Sequence, residues 1–215
     1  DKRVTLSILL DQIVAQLEVD AADVLLLHAP LQTLQFAAGQ GFHTGLNESA
    51  SVRLGESFAG RAVLERRIVR VEDLKKAEEN RPFAVLWSNE GFSNYYAIPL
   101  IAKGQVKGVL EVFHRAPFTA NPGWLNFLET LANHTAIAVD SAQMFENLQG
   151  ANMELSLAYD ATIEGWSHAM DLRDKETEGH TQRVTETAVT LARAMGMQAG
   201  ELLDLRRGAL LHDIG

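Results

Sequence analysis

The sequence predicts an α+β protein: one antiparallel sheet flanked by helices, then a long connecting helix and an all-α segment. Three observations predict it. Across residues 1–120 the apolar residues alternate between helical spacing and period two. From about Asn121 to Met170 one uninterrupted helical pattern follows. From Asp171 onward two shorter amphipathic helices end at His212-Asp213.

In chain order, Val4, Leu6, Ile8, Leu9, Ile13, Val14 and Leu17 are spaced for an amphipathic first helix. Asp23-Val24-Leu25-Leu26-Leu27-His28 reads as a buried strand. A turn at Ala29-Pro30 leads to Leu34–Ala38, the second strand of a hairpin. Ser57 to Arg66 is expected to be helical and Ile68 to Val71 a short strand. The clearest hairpin pairs Tyr95–Ala102 with Val106–Phe113 around Lys103-Gly104. Alternation puts Tyr96, Ile98 and Leu100 on one face, and sets Val109, Glu111 and Phe113 against Val106, Leu110 and Val112. Between the strands, Glu72–Asn94 carries Phe83, Trp87 and Phe92 without strong periodicity; it is either a ligand lid or a surface connection.

Asn121-Pro122-Gly123 is a helix-start signal. Beyond it Trp124, Leu128, Leu131, Ile137 and Ala138 are expected to pack back on the sheet. Phe145, Leu148, Asn152, Leu155 and Tyr159 then recur at spacings of 3, 4, 3 and 4. That is the seam of a short two-stranded coiled coil, with Asn152 able to fix register. It predicts a homodimer through the connecting helix; the competing reading is that these residues cover the fold's own core. Gly150 and Gly165 each weaken the helix by about 1 kcal/mol relative to Ala. They mark either points of bending or places where a neighbouring helix comes close.

Composition narrows the class of function. The 215 residues are 47% hydrophobic and 22% charged, ordinary globular values. No run of about eighteen apolar residues exists, so no membrane span or membrane partner is expected. No secretory signal opens the chain and there is no initiator Met, which suggests a piece of a longer cytoplasmic protein. Zero cysteines excludes disulfides, thiolate metal sites and thiol nucleophiles. A net charge of −9 argues against a nucleic-acid partner, which requires a basic face.

The residues with most chemistry are Glu176, His180, His212 and Asp213. Adjacent His and Asp side chains can hold two divalent ions, imidazole to one and carboxylate oxygens to the other. Glu176 and His180 are four apart, so in helical geometry they share a face. Asp174 or Thr177 is the expected N-cap of their helix. The chain closes that helix at Gly196 and builds a second from about Ala199 to Leu211, with Leu202, Leu205, Ala209 and Leu210 inward. A helical hairpin of this kind can bring the first pair to the second.

Several stretches resemble a known family. Leu54-Gly55-Glu56-Ser57-Phe58-Ala59-Gly60-Arg61-Ala62-Val63 leads to Ile68-Val69-Arg70-Val71-Glu72-Asp73. Ala97-Ile98-Pro99-Leu100-Ile101 and Gly108-Val109-Leu110-Glu111-Val112-Phe113 follow. As an ordered set they resemble a GAF domain over roughly residues 3 to 148. The resemblance implies a small-molecule sensor and dimerisation fold with a pocket on one face of its sheet. Its ligand is unknown. The chain has no cysteine to attach a bilin and no Asn-Lys-Phe-Asp-Glu signature of cyclic-nucleotide relatives. Trp87, Phe92, Tyr95 and Tyr96 are candidates to line the pocket, or else belong to the core. His28, His43 and His114 stand alone and read as structural histidines rather than haem ligands.

The second resemblance lies further on. Asp171-Leu-Arg-Asp-Lys-Glu-Thr-Glu-Gly-His180-Thr-Gln-Arg-Val, with Leu-Leu-His212-Asp213-Ile-Gly, is similar to the opening of an HD-GYP domain over about residues 155 to 215. The Glu-Thr-Glu-Gly-His segment separates that family from plain HD hydrolases. By position, the resemblance makes Glu176, His180, His212 and Asp213 metal ligands, Asp213 bridging two ions. It implies iron or manganese as cofactor and cyclic di-GMP as substrate, cleaved by metal-assisted phosphodiester hydrolysis. The family's catalytic Lys, Gly-Tyr-Pro loop and further ligands would lie beyond Gly215, so the 215 residues alone are expected to bind metal weakly and hydrolyse nothing. The expected organisation is a sensor domain over residues 1–148, a connecting helix over 149–170, and the start of an HD-GYP domain over 171–215.

Overall fold

A computed structural model describes residues 2–43, 51–74, 76, 87, 89–173 and 179–213. The chain divides into two compact units, Asp1–Met144 and Phe145–Gly215. The first holds helix α1 (Lys2–Leu17), strands β1 (Ala21–His28) and β2 (Thr33–Gln40), β3 (Ser51–Arg53), helix α2 (Phe58–Glu65) and β4 (Val69–Val71). Strands β5 (Asn94–Ala102) and β6 (Gln105–His114) complete its sheet. Helix α3 runs from Pro122 to Arg173 and has residues in both units. The second unit adds α4 (His180–Ala194) and α5 (Ala199–Leu210).

The six strands lie in the order β3-β2-β1-β6-β5-β4, every neighbouring pair antiparallel. Burial on both faces explains why β1, β5 and β6 are so apolar. One face packs Val24, Tyr96, Ile98, Leu100, Leu110 and Val112 against α1 and the first turns of α3. The other packs Leu25, Val69, Tyr95, Val109 and Phe113 against α2 and Trp87.

The hairpin β5–β6 turns through Lys103 (φ 49°) and Gly104 (φ 75°), both left-handed, as a two-residue turn between right-twisted strands requires. A register shift at Leu100/Ile101 interrupts the alternation beside that turn. Val106 therefore packs with the α2 face, whereas Leu110 and Val112 join Tyr96, Ile98 and Leu100. The expectation that Val106, Leu110 and Val112 share one face is corrected by this extra residue. The short strand β3, on the sheet edge beside β2, was not foreseen at all.

Helix α1 buries Leu6, Leu10, Ile13 and Leu17 and leaves Val4 and Ile8 exposed. Two residues' offset turns a side chain about 200° around a helix, so Val4 and Ile8 face away from the Leu6–Leu10 stripe. Helix α3 returns Leu128, Ala132, Ala136 and Val139 to the sheet, while Ile137, one position out of that stripe, is exposed. Asn121 starts this helix with its side-chain oxygen accepting the Trp124 N–H at 2.9 Å. Gly150 and Gly165 lie inside α3 without interrupting it, and a Cβ at either would meet nothing within 4 Å.

Candidate functional site

The chemistry-bearing residues of the second unit are placed by two helix ends. Helix α4 begins at His180, with Gly179 before it at φ 75° in a left-handed conformation that suits glycine. Asp174 and Thr177, the expected N-caps, lie outside the described residues, as does Glu176. Thr181 and Thr185 are buried along α4, the Thr185 hydroxyl donating to the Thr181 carbonyl at 2.8 Å.

Helix α5 is opened by a capping box between Gln198 and Glu201. It is tied to α3 by charge. The Arg207 guanidinium donates to Asp160 at 2.7 Å and to the Ser156 hydroxyl at 3.2 Å, and lies 5.0 Å over the Tyr159 ring. Arg206 pairs with Glu164 at 2.5 Å. After Leu210 the helix ends in a turn that carries His212 and Asp213.

That turn brings the two residues to the start of α4. His180, His212 and Asp213 each offer one ligand atom, and the three atoms all lie within 4.8 Å of one another. The two imidazoles stand 5.7 Å apart between ring centres. His212 Nδ1 lies 2.8 Å from the Ala209 carbonyl, a contact that orients the ring and turns Nε2 towards Asp213. Asp213 Oδ2 stands 3.1 Å from that Nε2. Two imidazoles and a carboxylate are a donor set suited to a first-row divalent ion, and three protein ligands leave positions open. The residues present fit such an ion.

On the sensor sheet, Trp87, Phe92 and Tyr95 share the face covered by α2, with Phe58 and Phe113. Their rings pack on one another: Phe58 stacks on Trp87 at 6.2 Å, Trp87 meets Tyr95 at 5.6 Å, and Phe92 stacks on Phe113 at 4.6 Å. Tyr96 falls on the opposite face, 5.1 Å from Trp124, because consecutive strand residues point to opposite sides. The four candidates cannot therefore line one pocket. A hollow of about 260 Å³ opens beside α2, lined by Gly55, Glu56, Ser57, Arg61 and Leu64, and none of the four borders it.

His114 is buried and stacked on Phe118 at 4.0 Å, and burial lowers its pKa. Arg115 holds the loop ends. It donates to the Gly41 and Glu90 carbonyls, pairs with the Glu90 carboxylate at 3.0 Å, and lies 4.9 Å over Phe92. Glu90 in turn accepts the His43 backbone N–H.

Sequence reasoning did not single out the most unusual polar group of this face. Asp23 and Glu111 are buried opposite each other, and the Tyr95 hydroxyl donates to Glu111 Oε1. The available signal was an acidic residue within an apolar run in each of two strands, beside Val24-Leu25 in one and between Leu110 and Val112 in the other.

The GAF domain model matches residues 1–140. A Vibrio cholerae protein described as a 3'3'-cGAMP-specific phosphodiesterase 3 is 29% identical over 113 residues, 49% of this chain. The chain covers 25% of that relative's length. Among solved structures, the GAF domain of an Acinetobacter phosphoenolpyruvate-protein phosphotransferase superposes with a TM-score of 0.57 at 23% identity, over 68% of this chain and 87% of that one. A GAF domain/HD domain protein from Geobacter sulfurreducens does so with a TM-score of 0.59 at 13% identity, over 67% and 95%. At these identities the structural likeness speaks for the fold alone. With the sheet order, its two covered faces and the match over 140 of 215 residues in agreement, the chain belongs to the GAF domain family.

Proposed function

We propose that this chain is the sensory and dimerisation region of a cytoplasmic, GAF-regulated, metal-dependent HD-GYP phosphodiesterase that hydrolyses cyclic di-GMP. The observation that carries the reading is the convergence of His180, His212 and Asp213 at the meeting of two helix ends. The cyclic-dinucleotide phosphodiesterase named among the relatives supports the substrate class. That relative is named for a different cyclic dinucleotide, so the assay includes both.

In this reading His212 presents Nε2 because its other nitrogen is engaged by Ala209, Asp213 offers two oxygens able to bridge a pair of ions, and Glu176 supplies a further carboxylate. Iron or manganese there would polarise the phosphodiester as a Lewis acid. The sensor pocket takes a small molecule, and α3 carries its state towards the output unit in a homodimer. A purely sensory and dimerisation module with a degenerate output, or an HD hydrolase of another nucleotide or phosphate ester, is the second reading.

The test uses the complete gene product with Mn²⁺ or Fe²⁺. Cyclic di-GMP or 3'3'-cGAMP should yield linear dinucleotide or nucleotide monophosphate, and Asp213→Asn should abolish it. No product from either substrate removes the enzyme. On the 215-residue chain, calorimetric titration with Mn²⁺ isolates the ligand set: Asp213→Ala should lower affinity about tenfold or more. Unchanged affinity would remove the three-residue cluster.

A further inference from the structure

The sheet face beneath α2 is apolar except at its centre. There Asp23 of β1 and Glu111 of β6 stand opposite each other in register, each 6% exposed. Ala21, Leu25, Val109 and Phe113 surround them on the same face. Directly opposed side chains of an antiparallel pair lie about 5 Å apart at Cβ, within reach of a shared hydrogen bond. Glu111 also accepts the Tyr95 hydroxyl, whereas Asp23 Oδ1 has no hydrogen-bond partner among the described residues.

Among the described residues, the strands beside the pair bring no charge to it. The strand partners beyond the pair are Gly39 of β2 and Ala97 of β5, neither of them charged. From α2, Arg61 acts on the Tyr95 hydroxyl. Two carboxylates side by side in apolar surroundings resist joint ionisation, through desolvation and through mutual repulsion, so the pair retains a proton and titrates as one unit. Burial is the main cause that raises both acids above the ordinary carboxylate range; the Glu111 charge raises Asp23 further, while hydrogen bonds from Tyr95 and Asp23 partly offset the rise at Glu111.

We propose that Asp23 and Glu111 form a proton-binding site at the centre of the sensor sheet, and that loss of the shared proton loosens the aromatic layer above it. Tyr95 is the link. Its hydroxyl is bound to Glu111, and its ring lies 5.8 Å from Phe58 of α2 and 5.6 Å from Trp87. When the proton passes to solvent base, two negative charges are left under those rings. The packing of α2 and Trp87 on the sheet then weakens, and the sensor reports pH independently of any output chemistry.

The sign of the effect follows from linkage. The folded state holds the proton more tightly than the unfolded chain, so the stabilisation is complete below the ordinary carboxylate range and is lost as pH rises through the raised folded value. The test follows urea unfolding of the 215-residue chain from about pH 5 to about pH 9, above the ordinary carboxylate range. Wild type should lose at least about tenfold more in its folding equilibrium constant over that window than Asp23→Asn, whose amide cannot ionise. Infrared spectra of wild type at neutral pH should contain the carbonyl band of a protonated buried carboxyl, absent in Asp23→Asn and fading at alkaline pH. Tryptophan emission should change with the same midpoint, and Trp87→Phe should remove that change. Parallel stability profiles of wild type and Asp23→Asn would overturn the proposal. If Asp23→Asn does not fold, wild type decides: no protonated-carboxyl band at neutral pH overturns the site equally.

Discussion

At Gly108 a single hydrogen fills all the space available. A Cβ there would sit 2.2 Å from the Leu25 carbonyl oxygen and 3.1 Å from the Leu26 Cα, backbone atoms of the neighbouring strand that cannot swing aside. Gly108→Ala should therefore lower the free energy of unfolding by about 2–3 kcal/mol, the upper range for overpacking, measured by urea titration. An unchanged midpoint would mean that β1 and β6 do not meet in this register. The same pair of strands shows what the sequence could and could not disclose about single residues. His180, His212 and Asp213 could be grouped from the sequence because they belong to one helical hairpin, and their ligand atoms lie within 4.8 Å of one another. Glu111 could be placed on a face from the β6 alternation, but its partner Asp23 lies 88 positions earlier in the chain, across a non-local pairing that no local period encodes. Tyr96 is a pocket candidate by residue type alone, and as the neighbour of Tyr95 in one strand it points to the opposite face.

Helix α3 is the element the sequence predicted best and the one in which its errors are easiest to explain. A long 3.6-residue pattern with a Pro start fixes existence and type, whereas which stripe is buried depends on what lies opposite. Leu128, Ala132, Ala136 and Val139 form the buried stripe, and two of these are alanines too small to stand out by hydrophobicity. The role of Gly150 and Gly165 depends on what lies beside the helix: among the described residues nothing comes within 4 Å of where a Cβ would stand, so no described neighbour requires glycine at either place. Gly150→Ala and Gly165→Ala should each stabilise α3 by up to about 1 kcal/mol, seen as a higher helical melting temperature by circular dichroism. A lower one would show that the helix uses these positions to bend or to admit a partner. Where α3 passes the sheet, Asp140 receives Lys107 at 2.8 Å and Lys103 at 3.1 Å, from the β5–β6 hairpin. Hydrogen bonds from those lysines hold its carboxyl below the ordinary value. That contribution is present above the unfolded pKa and is lost as pH falls through the folded one. Wild type should accordingly lose more stability on acidification than Asp140→Asn, a difference that urea titrations below about pH 5 would record. Equal slopes would mean the hairpin tip is not held through this carboxylate.

At the scale of the whole molecule, the part of α3 that belongs to the second unit raises a question of solvation. Phe145, Leu148, Leu155 and Tyr159 are 60%, 66%, 70% and 55% exposed, and Asn152 between them is exposed as well. Among the described residues they cover no core, which speaks against the competing explanation for their 3-4-3-4 spacing. Single exposed apolar residues are ordinary, but a row of them at seam spacing along one helix is the pattern a second helix buries. Tyr159 is the exception, since Arg207 already lies over its ring and α5 meets the helix through Ser156, Asp160 and Glu164, so the seam should end before it. A parallel pair of α3 helices would place Asn152 against Asn152, where a polar contact favours two strands in register. The expected behaviour is a dimer whose unfolding temperature rises with protein concentration, since association stabilises by mass action. Leu148→Lys with Leu155→Lys puts like charges into the seam. Light scattering should then fall from the mass of two chains to that of one, with the concentration dependence of unfolding abolished and the sheet's circular dichroism retained. A wild-type chain that scatters as a monomer at high concentration would leave the exposed row without a partner and remove the helix as the dimer contact.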